Sequence, residues 1–137
     1  MNAARAQHVI EAIAPALAAR RVVLCDRFAD STLAYQGYGR GLDMTMLRNI
    51  IEAATGGLAP DRTFLLDVPV HVSRERLRER NARLDRLENE HDAFHERVRK
   101  GFLELARDSR RFVVLDGRLP SDVLVEHAWA DLAEVAL

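Results

Sequence analysis

The sequence predicts an α/β protein whose parallel sheet is covered by helices on both faces. Three short runs read as buried strands because they are apolar throughout instead of alternating, namely VVLC at 22–25, TFLLDV at 63–68 and FVVLD at 112–116. Helical periodicities separate these runs, as is typical of strands joined by crossover helices. The length of 137 residues suits one domain.

Three helices are predicted in the first sixty residues. Apolar residues recur at helical spacing from 3 to 19, where Pro15 is expected to kink or restart the helix. Residues 31–38 form a short predicted helix. Asp43 is the predicted N-cap of the third helix, which ends at the Gly56-Gly57 pair.

Three more helices are predicted after the second strand. Pro69 opens the first at a position that favours proline. The second carries an apolar stripe of Phe94, Val98, Phe102 and Leu105, and Ser121 caps the third.

Composition excludes several classes of function. The formal net charge of -1 argues against a general binder of nucleic acid or anionic membranes. No apolar stretch is long enough to cross a bilayer and no secretory signal opens the chain, so we expect a cytoplasmic protein. Cys25 is the one cysteine, which excludes an internal disulfide, and we interpret it as a small buried residue. His91 and His95 stand four apart without a third ligand, which argues against zinc.

Every predicted strand ends in a carboxylate, at the sheet edge where ligands of parallel sheets collect. For Asp67 and Asp116 we favour an ordinary turn or capping role. Asp26 differs because Arg27 follows it. A guanidinium suits a phosphate monoester and a carboxylate suits magnesium or its waters, so the pair indicates phosphoryl transfer.

Polar side chains continue beyond this pair on the short predicted helix. They are Ser31, Thr32, Tyr35 and Gln36, of which the last three share one face. A surface helix would show the same polar residues, and Asp26-Arg27 is what favours a nucleotide pocket.

The segment DRFADSTLAYQG at 26–37, with GRG at 39–41, resembles the substrate motif DR[YFH]xxSxxAYQG of bacterial thymidylate kinases. ARAQH at 4–8, PDRTFLLDVP at 60–69 and RLDRLE at 83–88 resemble other segments of that family in the same order. The resemblance runs over 1–137, with a lid region at about 74–92, and matches the latter part of the family's length. It implies a P-loop kinase-type fold that lacks its first strand, phosphate loop and first helix.

The resemblance implies transfer of the γ-phosphoryl group of ATP to dTMP, with Mg²⁺. By position, Arg5 would hydrogen-bond thymine, Arg27 would hold the acceptor phosphate and Asp26 would help to position magnesium. Thr32 would reach the base edge with Ser31 supporting the loop, and Tyr35 would lie against the deoxyribose and disfavour a 2′-hydroxyl. Gln36 belongs to the same pocket wall. Met1 stands where relatives place an aromatic residue that stacks on thymine.

The resemblance also implies a lid and a dimer. Arg80, Arg83 and Arg86 are the candidates to close over the transferring phosphoryl group, and Asp85 would keep that segment in register. Family members are commonly homodimers packed through helices such as those near 3–19 and 43–54.

The sequence contains no G-x-x-x-x-G-K-[ST] motif, since its single lysine, Lys100, is followed by Gly101 and Phe102. The family's missing first strand would lie between those matching 22–25 and 63–68, so both are expected to have unpaired edges. We therefore expect these 137 residues alone to be inactive, as a fragment of a longer kinase, as a chain begun at an internal methionine or as one completed by a partner. A non-catalytic dTMP-binding module and a kinase for another nucleoside monophosphate are the alternatives, and AYQG and ARAQH argue against the second.

Overall fold

The structure is a computed structural model that describes residues 2–79 and 90–135, and the chain divides into two compact units. The first unit, Met1–Pro60, contains α1 (Asn2–His8), a first π-helical segment (Val9–Ile13), α2 (Ala14–Ala18), α3 (Ala29–Thr32), a second π-helical segment (Leu33–Gly39) and α4 (Met44–Thr55). The second unit, Asp61–Leu137, contains β1 (Thr63–Asp67), α5 (Val70–Glu79), α6 (Asp92–Arg107), β2 (Phe112–Asp116) and α7 (Ser121–Val135).

The predicted interruption at Pro15 is confirmed. The α-helical pattern of α1 changes to π-helical hydrogen bonding over Val9–Ile13, and the N–H of Ala14 donates to the carbonyl of Val9, five residues earlier. Proline has no N–H to donate and its ring crowds the preceding turn, so the α-helical ladder cannot run through residue 15 unchanged. The chain then resumes as α2, with Pro15 in its first turn.

Both predicted ends of α4 are confirmed. The N–H of Met46 donates to the Asp43 carboxylate over 2.6 Å, and Gly56 ends the helix in the left-handed conformation with φ of 63°. Leu47 is buried, whereas Ile50 on the predicted apolar face is exposed. Local capping signals therefore predicted the helix more accurately than its buried face.

The predicted strand at 22–25 is wrong. Residues 21–25 carry no strand hydrogen bonds, and Val22 and Leu24 are 98% and 95% exposed. Cys25, expected to be buried, is only partly so. A strand exists through its ladder to a neighbour, and the two strands within the described residues pair with each other. Apolar content alone does not supply that neighbour.

The second unit is built on the predicted parallel pairing. β1 and β2 lie side by side in register from Thr63 opposite Phe112 to Asp67 opposite Asp116, and Val68 falls outside the strand. Helix α6 contacts both strands and α7 contacts β2. Phe94 and its stripe partners Val98 and Leu105 are buried, while Phe102 is only partly so. The α/β class is confirmed, with two strands in the described residues instead of the predicted three.

The helices of the second unit begin close to their predicted positions. The N–H of Ser73 donates to the carbonyl of Pro69 over 3.1 Å, so α5 starts directly after the proline, and α7 starts at Ser121. Among the described helices, we find none with the length and apolar character that a membrane span requires.

Candidate functional site

Arg5 is tied to the start of the DRFADSTLAYQG segment by its guanidinium. From the last turn of α1, its Nη2 donates to Thr32 Oγ1 over 2.9 Å and to the carbonyl oxygen of Phe28 over 3.1 Å. Its Nη1 donates to Asn2 Oδ1 over 2.5 Å, and the guanidinium carbon lies 5.6 Å from the centre of the Phe28 ring. Two segments more than twenty residues apart are thereby joined at a cationic group.

Burial and charge act in opposite directions on Arg5. Partial burial lowers the pKa of its guanidinium, and the nearby Cys25 and Asp30 side chains oppose that effect. Asp30 is itself buried. Arginine stays protonated in proteins, so the site keeps a partly desolvated positive charge beside a buried acidic residue.

Arg27 has an unusual backbone and an aromatic neighbour. Its φ is 61°, in the left-handed region that few non-glycine residues occupy, at a cost of about 1 to 3 kcal/mol. Its guanidinium carbon lies 5.4 Å from the centre of the Tyr35 ring, within the range of a cation–π interaction. The Cys25 thiol donates to the carbonyl oxygen of Arg27 over 3.6 Å. The sequence predicted Arg27 and Tyr35 as site residues without predicting this stacking.

Asp26 is exposed beside Arg27 on the same bend. Within residues 2–79 and 90–135, we find no cluster of three or more His, Cys, Asp or Glu side chains that could hold a metal ion without other ligands. Magnesium usually keeps several waters and takes one or two carboxylates plus substrate phosphates. One accessible carboxylate next to an exposed arginine is compatible with that mode of binding.

Gln36 presents a polar atom that the described residues leave unsatisfied. Its Oε1 is buried and accepts no hydrogen bond within the described parts of the chain. The residue lies in the second π-helical segment, and such segments occur frequently at functional sites. The next residue, Gly37, lies so close to α4 that a β-carbon there would overlap the Met44 sulfur. Ser31 is partly buried in α3.

The two carboxylates that end β1 and β2 are each held by an arginine. Arg99 Nε and Nη2 donate to the two oxygens of Asp67 over 2.6 and 2.9 Å. Arg118 makes the same two-pronged contact with Asp116 over 2.8 and 2.7 Å, and its backbone N–H donates to Asp116 over 3.0 Å. The backbone bond from Arg118 agrees with the predicted turn role of Asp116. Asp67 instead forms an ion pair with Arg99.

These pairs predict how the second unit responds to acid. The hydrogen bond from Arg99 lowers the pKa of Asp67, and those from Arg118 lower the pKa of Asp116 to about 2. Both native values lie below the unfolded one of about 3.9, so the stabilisation is complete above about pH 5 and is lost as pH falls toward 2. We expect denaturant unfolding of Asp116→Asn to depend less on pH between about 4 and 2 than wild type. An identical pH dependence would contradict the assignment, and Arg118→Met should reproduce the Asn variant.

Several contributors to these contacts carry no sequence signal. Asn2 and the carbonyl of Phe28 orient Arg5, while Arg76 of α5 donates to the carbonyl of Gly117 over 2.8 Å after β2. The inward position of Asp30 in the motif was likewise unpredicted. The predicted lid residues Arg80, Arg83, Asp85 and Arg86 lie outside the described residues.

Comparison with known proteins identifies relatives of the chain. The family model described as thymidylate kinase matches residues 1–128. A thymidylate kinase of Desulfovibrio desulfuricans is 54% identical over 128 residues, which cover 88% of this chain and 59% of that protein. One from Thermomicrobium roseum is 52% identical over 135 residues, covering 98% and 64%, and one from Carboxydothermus hydrogenoformans is 56% identical over 114 residues, covering 83% and 55%. The chain thus spans less than two thirds of the length of these relatives.

Proposed function

Because the chain belongs to the thymidylate kinase family, we propose that it carries the acceptor-nucleotide site of an enzyme that phosphorylates dTMP with ATP. A phosphate oxygen of dTMP forms a bond to the γ-phosphorus, the bond from that phosphorus to the β,γ-bridging oxygen breaks, and dTDP and ADP are the products. The P-loop kinase fold of the family, with a parallel sheet and surrounding helices, is compatible with β1 and β2.

Arg5 and Gln36 are the proposed base-binding residues. Three of the five guanidinium N–H groups of Arg5 are bonded to Asn2, Phe28 and Thr32, which leaves Nε–H and one N–H of Nη1, and one of these is proposed to donate to a carbonyl oxygen of thymine. The buried Oε1 of Gln36 is an acceptor that the N3–H of thymine would satisfy. This unsatisfied oxygen is the observation that carries the proposal, because a buried acceptor without a partner destabilises a protein unless a ligand completes it.

Arg27 and Tyr35 are the proposed phosphate and sugar residues. The exposed Arg27 guanidinium offers paired donors to the acceptor phosphate, and the aromatic face of Tyr35 holds it in one orientation. With Tyr35 against the deoxyribose, a 2′-hydroxyl would meet the ring, which favours deoxynucleotides. Thr32 is proposed to act at the base edge through Arg5, to which its hydroxyl is bonded, and Ser31 to support the loop.

Asp26 and the lid are proposed to stabilise the negative charge on the reacting phosphates. Asp26 would hold magnesium, in part through water, and the ion would neutralise charge on the phosphates. Arg80, Arg83 and Arg86 are proposed to spread the charge of the transferring phosphoryl group, with Asp85 keeping them in register.

We also propose a homodimer, as the family resemblance implies. Ile10 and Leu17 in the N-terminal helical region, and Met46 and Ile50 on α4, are apolar and exposed, and α1 contacts α4 within the first unit. Covering these side chains with a second copy would remove apolar surface from water. Sedimentation equilibrium would give twice the chain mass; a monomer at all concentrations would contradict this proposal.

The test of the acceptor site is calorimetric titration of the chain with dTMP, thymidine, ribothymidine monophosphate and dCMP. We expect dTMP to bind more tightly than all three, because thymidine lacks the phosphate, ribothymidine monophosphate carries a 2′-hydroxyl, and dCMP lacks the N3–H and the O4 acceptor. Equal affinity for dTMP and dCMP would contradict recognition of the thymine edge by Arg5 and Gln36.

Replacing Gln36 by methionine separates ligand recognition from folding. We expect dTMP affinity to fall by about 5- to 150-fold, since a buried hydrogen bond to the base is lost. Thermal stability without ligand should stay the same or rise, because the variant removes a buried acceptor that has no partner. The other glutamine, Gln7, is exposed and bonded to Glu11, so Gln7→Met is the matched control with neither change expected. Loss of stability with unchanged dTMP affinity would assign Gln36 a structural role.

A further inference from the structure

On the premise of the dTMP site proposed above, we propose that Thr32 is a positioning residue whose hydroxyl group acts on nucleotide binding through Arg5. Thr32 is 2% exposed, and its Oγ1 accepts a hydrogen bond from Arg5 Nη2 over 2.9 Å. The two residues are 27 positions apart, on α3 and α1 of the first unit. The hydroxyl therefore links the motif segment to the helix that carries the base-binding arginine.

The donors of Arg5 show what this link determines. Nη2 carries two hydrogens, and its bonds to Thr32 and to the carbonyl of Phe28 use both. Asn2 takes one hydrogen of Nη1. Among the described residues, Nε–H and the second hydrogen of Nη1 are left for a ligand. Three acceptors around one planar group fix its tilt, and that tilt sets where the two remaining N–H groups point.

The hydroxyl matters because Thr32 is buried and the guanidinium that donates to it is partly buried. Removing the acceptor leaves an N–H of a partly buried guanidinium without a partner, and such a group turns toward another acceptor if one is near. Asp30, which is buried and acts electrostatically on Arg5, is an acceptor of this kind. Rotation of the guanidinium toward a new acceptor would misdirect the N–H group that donates to the base.

The first experiment observes Arg5 in the unliganded 137-residue chain. The ¹⁵N NMR signals of the guanidinium report rotation about the Cζ–Nη2 bond, which hydrogen bonds to both Nη2 hydrogens slow down. We expect slow rotation in wild type and in Thr32→Ser, which keeps the hydroxyl, and faster rotation in Thr32→Val, which replaces it with a methyl group. Equal rotation in all three proteins would overturn the proposal. If the valine variant does not fold, Thr32→Ala supplies the comparison.

The second experiment measures dTMP affinity in a double-mutant cycle. We expect Thr32→Val to weaken dTMP binding by about 10-fold and Thr32→Ser to retain most of the affinity. In an Arg5→Ala background, Thr32→Val should cause no further loss, since its effect passes through Arg5. An equal loss in both backgrounds would show that Thr32 contacts the nucleotide independently and would overturn the proposal.

The two experiments fail in different ways. If wild type does not bind dTMP, the proposed acceptor site is wrong, and the NMR comparison still decides whether Thr32 holds Arg5. If wild type binds dTMP and the cycle is additive, the acceptor site stands and the positioning role is rejected.

Discussion

Replacing Arg27 by alanine is expected to weaken dTMP binding by roughly 10- to 150-fold and to leave thymidine binding nearly unchanged. A charge-assisted contact to phosphate contributes about 1.5 to 3 kcal/mol, and thymidine has no phosphate to receive it. The exposed guanidinium packs on Tyr35 and is available to a ligand. Calorimetry with both ligands against wild type and variant measures the difference.

Arg20 provides a matched control for this substitution. It is an exposed arginine of the same unit, and it also has a positive φ, of 54°. Arg20→Ala therefore makes the same change of charge and side-chain length in a comparable backbone, away from the motif. We expect it to leave both affinities unchanged. Equal losses for dTMP and thymidine in Arg27→Ala would instead mean that Arg27 maintains the structure of the pocket.

Replacing Phe94 by alanine is expected to destabilise the second unit by about 3 to 5 kcal/mol. The side chain is 5% exposed on α6, the helix that contacts both strands, so its removal leaves a cavity that packed neighbours fill only in part. Domains have a total stability of about 5 to 15 kcal/mol, so this loss is a large fraction of the total. Urea unfolding followed by circular dichroism measures it.

Trp129 on α7 is the matched control for Phe94. It is a larger aromatic residue of the same unit but is 72% exposed, so Trp129→Ala removes little buried surface. A change within about 0.5 kcal/mol is expected for such a surface position. Similar losses for the two variants would contradict the burial that the structure assigns to them.

Sequence patterns predicted the elements whose signals are local. Asp43 and Gly56 bracket α4 because a capping carboxylate and a left-handed glycine act within one helical turn. The apolar runs at β1 and β2 were predicted correctly because each has the other as its neighbour. The run at 22–25 is likewise apolar but has no such neighbour among the described residues, and a ladder depends on residues distant in sequence.

The candidate site shows the same division between local and distant signals. The motif indicates Arg27, Tyr35 and Gln36 as candidates by type and spacing, and the resemblance adds Arg5. The hydrogen bonds from Arg5 to Phe28 and Thr32 span 23 and 27 residues, and no periodicity connects those positions. The left-handed backbone of Arg27 was also unpredictable, because arginine has no intrinsic preference for that conformation.

The exposed segment at 22–25 bears on how this chain behaves when it is concentrated. An exposed apolar stretch that lies outside any strand can pair with a like stretch on another molecule, which is how aggregates of β-structure begin. Charged residues bound this stretch on both sides, Arg20 and Arg21 before it and Asp26 and Arg27 after it. Flanking charges of this kind act as gatekeepers, because stacking identical segments brings like charges together. Arg27 is thus placed to limit aggregation, in addition to its proposed role at the acceptor phosphate, and high salt, which screens these charges, would favour precipitation.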